Sequence, residues 1–227
     1  MIHYRSAAGL AATARRALLL LALVALISAG TIMGYFSVLD LVAIGRATDA
    51  DATRAFGTVR TANTLLLVAV PVAWFYLVRW LRASLANAHA LAVPRPAVAL
   101  ADIDRRTTYA ALPGPLVGEP GRLLVAHLRS LAEAHGGTGS SRSIPDGGAP
   151  RWAGRISVLV APLWIGGLLR SHGDHHAAIW VALAWVLLGA VAILLRQAVA
   201  LVQLGEELQS ALSAADRRTR RRPPQPA

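Results

Sequence analysis

Long uncharged stretches of apolar residues alternate along the chain with segments that hold nearly all of its ionisable groups. Residues 17–39 (ALLLLALVALISAGTIMGYFSVL) contain no Asp, Glu, Arg or His. As a helix such a run covers roughly 30 Å of hydrocarbon. A second run, residues 61–78, has Pro71 at its middle and carries Trp74, Phe75, Tyr76 and Trp80 beside Arg79 and Arg82. Aromatic rings next to Arg mark a headgroup boundary, and Pro71 removes one backbone donor, which predicts a kink. Residues 177–195 form another uncharged run that stops at Arg196. Residues 156–169 are shorter and are bracketed by Arg155 and Arg170. They span only if both Arg snorkel, if Trp152 sits at the interface or if the bilayer thins; the other reading is a buried or interfacial segment. Counting them gives four crossings.

The intervening segments predict further elements. Arg5, Arg15 and Arg16 precede the first run, and small residues lie near Ser28 to Gly30, a combination that a cleaved leader also shows. The run is longer than a leader core and further spans follow, so it reads as a span. Residues 84–92 continue the second helix into water until Pro94 and Pro96 stop it. Pro120 opens another helix, in which Leu124, Leu128 and Leu131 recur at helical spacing until Gly136 and Gly137 end it. That stripe suits either packing on the bundle or lying on the membrane surface. Asp102, Asp104, Arg105 and Arg106 read as a solvated turn, and residues 136–154, rich in Gly, Ser and Pro, as a flexible linker. Whether residues 110–120 re-enter the membrane stays open.

The fold class that follows is all-α: an integral membrane four-helix bundle with a mostly helical cytoplasmic region between spans 2 and 3. Residues 1–16 are a basic cytoplasmic N-terminus, 17–82 hold spans 1 and 2, and 83–155 the cytoplasmic region. Residues 156–203 hold spans 3 and 4, and 204–227 an Arg-rich cytoplasmic tail. Composition agrees, since only 15% of the 227 residues are charged and 55% are hydrophobic, against about 25% charged in an average soluble domain. All 23 basic residues are Arg, and the formal net charge is +11. With both termini in the cytoplasm, 19 Arg fall inside and 4 outside. That bias is the positive-inside pattern of a multi-pass protein of the cell membrane.

Cysteine is absent, so disulfides, thiolate metal sites and cysteine nucleophiles are excluded. No GxSxG, HExxH or GxxxxGK[ST] occurs. No catalytic residue and no cofactor is expected. His172, Asp174, His175 and His176 in the outer loop are the residues that could hold a metal, but they match no known ligand spacing and an exposed connector accounts for them equally. Arg217, Arg218, Arg220, Arg221 and Arg222 lie close to an inner bilayer face and point to anionic lipid headgroups rather than nucleic acid, since no aromatic residues interleave them. Gly30 and Gly34 form a GxxxG that serves packing within the monomer or dimerisation. The spans hold no charge at their middle, and Asn63 lies at a span end. The reading is thus a non-enzymatic membrane component acting through lipids or a membrane-protein partner. The alternative is a small transporter or its accessory subunit, with Asn63, Arg79 and Arg155 as the residues to test.

Trp80, Arg82, Ala83, Asn87, Ala88 and Leu91 resemble the W-x-x-R-A-x-x-N-A-x-x-L motif of a bacterial membrane family known as domain of unknown function 4328. Pro113 and Pro120 resemble its second motif, and Leu128, Arg129 and Ser130 its third. Leu116, Val117 and Gly118 depart from the family's Asn-Leu-Trp, and Leu128 stands where the family has an aromatic residue. The resemblance implies a helical bundle in the membrane. It implies no activity.

Overall fold

The computed structural model describes residues 6–111, 119–135, 195–196 and 198–217. Every element among them is helical, with no strand. Helix α1 runs over Ala8–Ala43 and α2 over Asp49–Ala90. A 3-10 turn at Leu100–Asp102 leads into α3, Ile103–Ala111, followed by α4, Glu119–Ala134. A further helix, α5, occupies residues 198–217. The expected linker and third span, and the fourth span apart from Leu195, lie outside the described residues.

Helices α1 and α2 extend well beyond their uncharged runs because the flanks are rich in Ala, Leu and Arg, which lose little entropy in a helix. Helix α1 ends in a paired 6→1 and 5→2 closure. Arg46 N–H bonds Leu41 O at 2.8 Å and Gly45 N–H bonds Val42 O at 3.0 Å. Gly45 takes the left-handed φ of +70° that this closure demands. Three residues later Thr48 caps α2: its N–H and hydroxyl both donate to Asp51 Oδ2, and its Oγ1 accepts from Asp51 N–H. Helix α2 then continues through Pro71. Both helices are long and apolar enough to cross a membrane.

Two compact units are formed. The first gathers residues 6–15, 74–111, 119–135 and 198–217. Its core is Trp80, Leu85, Leu128, Leu131 and Val202, packed with Ala11, Ala14 and Ala88. The second holds Arg16–Ala73 with residues 195–196. In it Ile32, Phe36 and Val59 pack together, and the Tyr35 and Phe56 rings meet at 5.6 Å.

One expectation changes and two gain detail. Residues 84–90 continue α2 as expected, and Ser84, Leu85, Asn87 and Ala88 are buried where α4 and α5 bring apolar stripes to them. The stripe of α4 is accounted for by packing, since Leu123, Leu124, Leu128 and Leu131 are buried in the same core. The charged segment at 102–106 is helix rather than turn. Arg105 pairs with Asp102 one turn away at 3.3 Å, and Arg82 reaches Asp104 at 2.6 Å, so the charges support the helix while staying exposed.

Helix α2 stops before Pro94 by the same closure that ends α1. Val93 N–H bonds Ala88 O at 3.0 Å and Ala92 N–H bonds His89 O at 3.1 Å. Here the left-handed residue is Ala92, at φ +52°, where a Cβ is strained. Ala92 is exposed and loses no packing on truncation. Ala92→Gly is therefore expected to stabilise the first unit by about 1 kcal/mol, read as a higher thermal midpoint of the detergent-solubilised protein.

Candidate functional site

The first unit closes around a knot of buried polar side chains. Ser84 and Asn87 come from α2, His127 from α4 and Gln209 from α5; all four are buried, and Ser84 and His127 are 0% exposed. Each sits on the apolar stripe of its own helix: His127 between Leu124, Leu128 and Leu131, and Gln209 between Val202, Gly205 and Leu208. Helical spacing thus carries them inward together with their neighbours. Gly205 brings α5 close, since a Cβ there would meet the Trp80 ring at 3.0 Å and Leu128 at 3.2 Å.

Asn87 Nδ2 donates to Gln209 Oε1 at 3.3 Å. Gln209 Nε2 donates to Ser84 O at 2.9 Å and also to Ser84 Oγ. Ser84 Oγ and His127 Nε2 are hydrogen-bonded at 2.7 Å, the donor being set by the ring tautomer. Among the described residues Nδ1 has no partner. Burial holds the imidazole neutral and pushes its pKa down to about 4. On α4 itself, the Ser130 hydroxyl donates to His127 O at 2.8 Å.

Ser84 and His127 are the atoms of a nucleophile and its base, yet a working pair also needs an orienting group on the second ring nitrogen and a path for substrate. The nearby depression of about 60 Å³ is lined by Trp80, Glu206, Gln209, Ser210 and residues 6–8 at the start of α1, and does not touch Ser84 or His127. Ligand pockets are several times larger. What the knot does physically is lock α2, α4 and α5 in one register: each bond joins residues far apart in sequence, and a slip of any helix would strand a buried polar group at about 1–3 kcal/mol.

The second unit holds a smaller counterpart. The Ser28 hydroxyl donates to Asn63 Oδ1 at 2.6 Å, with Ser28 only 3% exposed. Ser28 is the central residue of the first apolar run, so Asn63 is level with its middle and not with an end. The cause is the hairpin register, in which Val59 packs with Ile32 and Phe36, placing the charged start of α2 beside the last apolar turns of α1.

Of the residues named from sequence, Arg217 is exposed at the end of α5, where its guanidinium donates back to Ser213 O at 3.2 Å. Arg218, Arg220, Arg221 and Arg222, and His172, Asp174, His175 and His176, lie outside the described residues. The described residues contain no group of three His, Cys, Asp or Glu that could hold a metal. Gly30 and Gly34 are exposed, with no described atom within reach of a Cβ. Helix α5 and the knot were missed by sequence reading. The available signal was a polar residue recurring on each of three apolar stripes, at 84, 127 and 209. No family model, curated protein or solved structure matches this chain.

The knot makes stability depend on pH with a definite sign. Unfolded, the His127 ring takes a proton near its ordinary 6.5; folded, it resists to about 4. Between these values the unfolded chain binds more protons. Stability is full above pH 6.5 and erodes as the pH falls towards 4, by about 3 kcal/mol in all. Thermal midpoints from circular dichroism between pH 7.5 and 4.5 should fall more steeply for the wild type than for His127→Leu, which is less stable at neutral pH but flatter.

Proposed function

We propose that the chain is an integral membrane protein with four crossings and both termini in the cytoplasm, acting without catalysis as an envelope or interaction component. The observation that carries the reading is that the α1–α2 hairpin is built inside out. Its large apolar side chains face outward: Leu19, Leu20, Leu23, Leu26 and Ile27 on α1, and Leu65, Leu67, Val68 and Val72 on α2, with Leu67 at 75% exposure. Between the helices lie small or polar residues over the middle of the hairpin, Ala25, Ser28, Ala29 and Ala62, and the larger Ile32, Phe36 and Val59 nearer its turn. Water penalises such an arrangement and lipid does not. A core helix of a soluble protein would be covered, whereas only 33% of the most apolar window of α1 and 17% of that of α2 are buried. A cleaved leader would account for α1 alone.

The number and sense of the crossings draw support from the first unit. Residues 6–15, the segment after α2 and helix α5 pack on one another, and Arg15 pairs with Glu206 at 3.4 Å. If the first unit lies in water, its segments share one side of the bilayer, which supports an even number of crossings between α4 and α5. The apolar runs at 156–169 and 177–195 supply two. The Arg bias then assigns that side to the cytoplasm. The likeness to domain of unknown function 4328 belongs to the same proposal, and Trp80, Asn87, Ala88 and Leu128 of its motifs fall in the buried core. Ser28–Asn63, the polar pair inside the apolar hairpin, is neutral and bonded to itself, which makes it a clamp and not a step in a charge pathway.

Two measurements test the proposal. A reporter fused after Thr138 should be active only in its cytoplasmic form, and activity of the exported form would contradict the topology. Purified protein in liposomes should pass ions and small solutes no faster than empty vesicles; flux above that level would favour the transporter reading.

A further inference from the structure

Helix α1 carries, on one face of the second unit, a cation at the foot of a bare apolar strip. Arg16 is exposed and has no ion pair or hydrogen bond among the described residues, whereas its neighbour Arg15 is engaged by Glu206. Three, four, seven, ten and eleven residues on, Leu19, Leu20, Leu23, Leu26 and Ile27 continue the same helical face, and each is more than half exposed. From Arg16 to Ile27 the helix rises about 16 Å, close to the roughly 15 Å of hydrocarbon in one leaflet. Beyond Ile27 the face changes character at Gly30 and Gly34, which offer no side chain to an acyl tail.

A strip one leaflet long, with at its headgroup end a guanidinium that has no ion pair among the described residues, complements the shape and charge of an anionic phospholipid. We propose that this face of α1 is a binding site for such a lipid in the inner leaflet, Arg16 taking the phosphodiester and the leucine strip lying along one acyl chain. The proposal rests on the membrane reading above. Its occupant is fixed by charge complementarity: the guanidinium binds phosphate through two parallel N–H donors, and a zwitterionic headgroup brings its own cation to compete. A second copy of the chain docked at Gly30 and Gly34 would cover the upper part of the face but leave Arg16 without a counter-ion.

The absence of native cysteine makes the test direct. Leu23→Cys and, separately, Leu67→Cys on α2 are labelled with a fluorophore and reconstituted as the full chain in phosphatidylcholine vesicles. Brominated phosphatidylglycerol or brominated phosphatidylcholine is then titrated in as quencher. At Leu23→Cys the anionic lipid should quench at about one-fifth of the mole fraction that the neutral lipid needs, the factor one Arg near a headgroup supplies. Arg16→Gln should abolish the preference and Arg16→Lys should keep much of it. Equal quenching by both lipids with Arg16 intact overturns the site and leaves the membrane reading standing. Quenching at Leu67→Cys but not at Leu23→Cys means that protein, a later span of the chain or another copy, covers the α1 face, and also overturns it. Quenching at neither position overturns the membrane reading itself.

Discussion

A hydroxyl, amide or ring nitrogen withdrawn from water is stabilised by a partner, and among the described residues buried Ser28, Ser84, Asn87, His127 and Gln209 find one on another helix, while Thr107, Ser130 and Ser213 bond carbonyls of their own. Ser28 finds Asn63, and Ser84 finds His127 and Gln209. Because an unpaired group would cost more than a typical bond contributes, these few contacts fix registers that the surrounding Ala and Leu contacts would leave loose. A run of Ala and Leu can slide by one turn with little change in buried area; a bonded Ser–Asn pair cannot.

The same device operates in two surroundings. In the first unit it sits within an apolar core closed over by α1, α2, α4 and α5, with large residues inside and charges outside. Over the middle of the hairpin in the second unit the order is reversed, and large residues lie outside Ala25, Ser28, Ala29 and Ala62. One chain therefore carries both solvent conditions in its packing. The first unit is organised as water requires and the hairpin as hydrocarbon permits.

Much of this was legible from the sequence. Uncharged runs located the middle of α1 and α2, Pro94 and Pro120 marked the end of one helix and the start of another, and the stripe of Leu124, Leu128 and Leu131 marked the buried face of α4. Helix α3 was not, because four closely spaced charges read as a turn unless the Asp102–Arg105 spacing is recognised as one helical turn. The level of Asn63 was hidden for a different reason: it depends on which residue of α1 lies opposite, and that is settled by packing 35 residues away in sequence. His127 and Gln209 were missed because a polar residue on an apolar stripe has no meaning until the neighbouring helix that satisfies it is known.

The central proposal is that the middle of the α1–α2 hairpin lies in lipid and the first unit in water, and single-cysteine accessibility tests it most directly. In native membranes, a water-soluble maleimide should leave Leu26→Cys and Leu67→Cys unmodified until detergent is added, while Ala126→Cys and Glu133→Cys react readily from the cytoplasmic side. Hairpin cysteines that react in the intact membrane as fast as Ala126→Cys would contradict it.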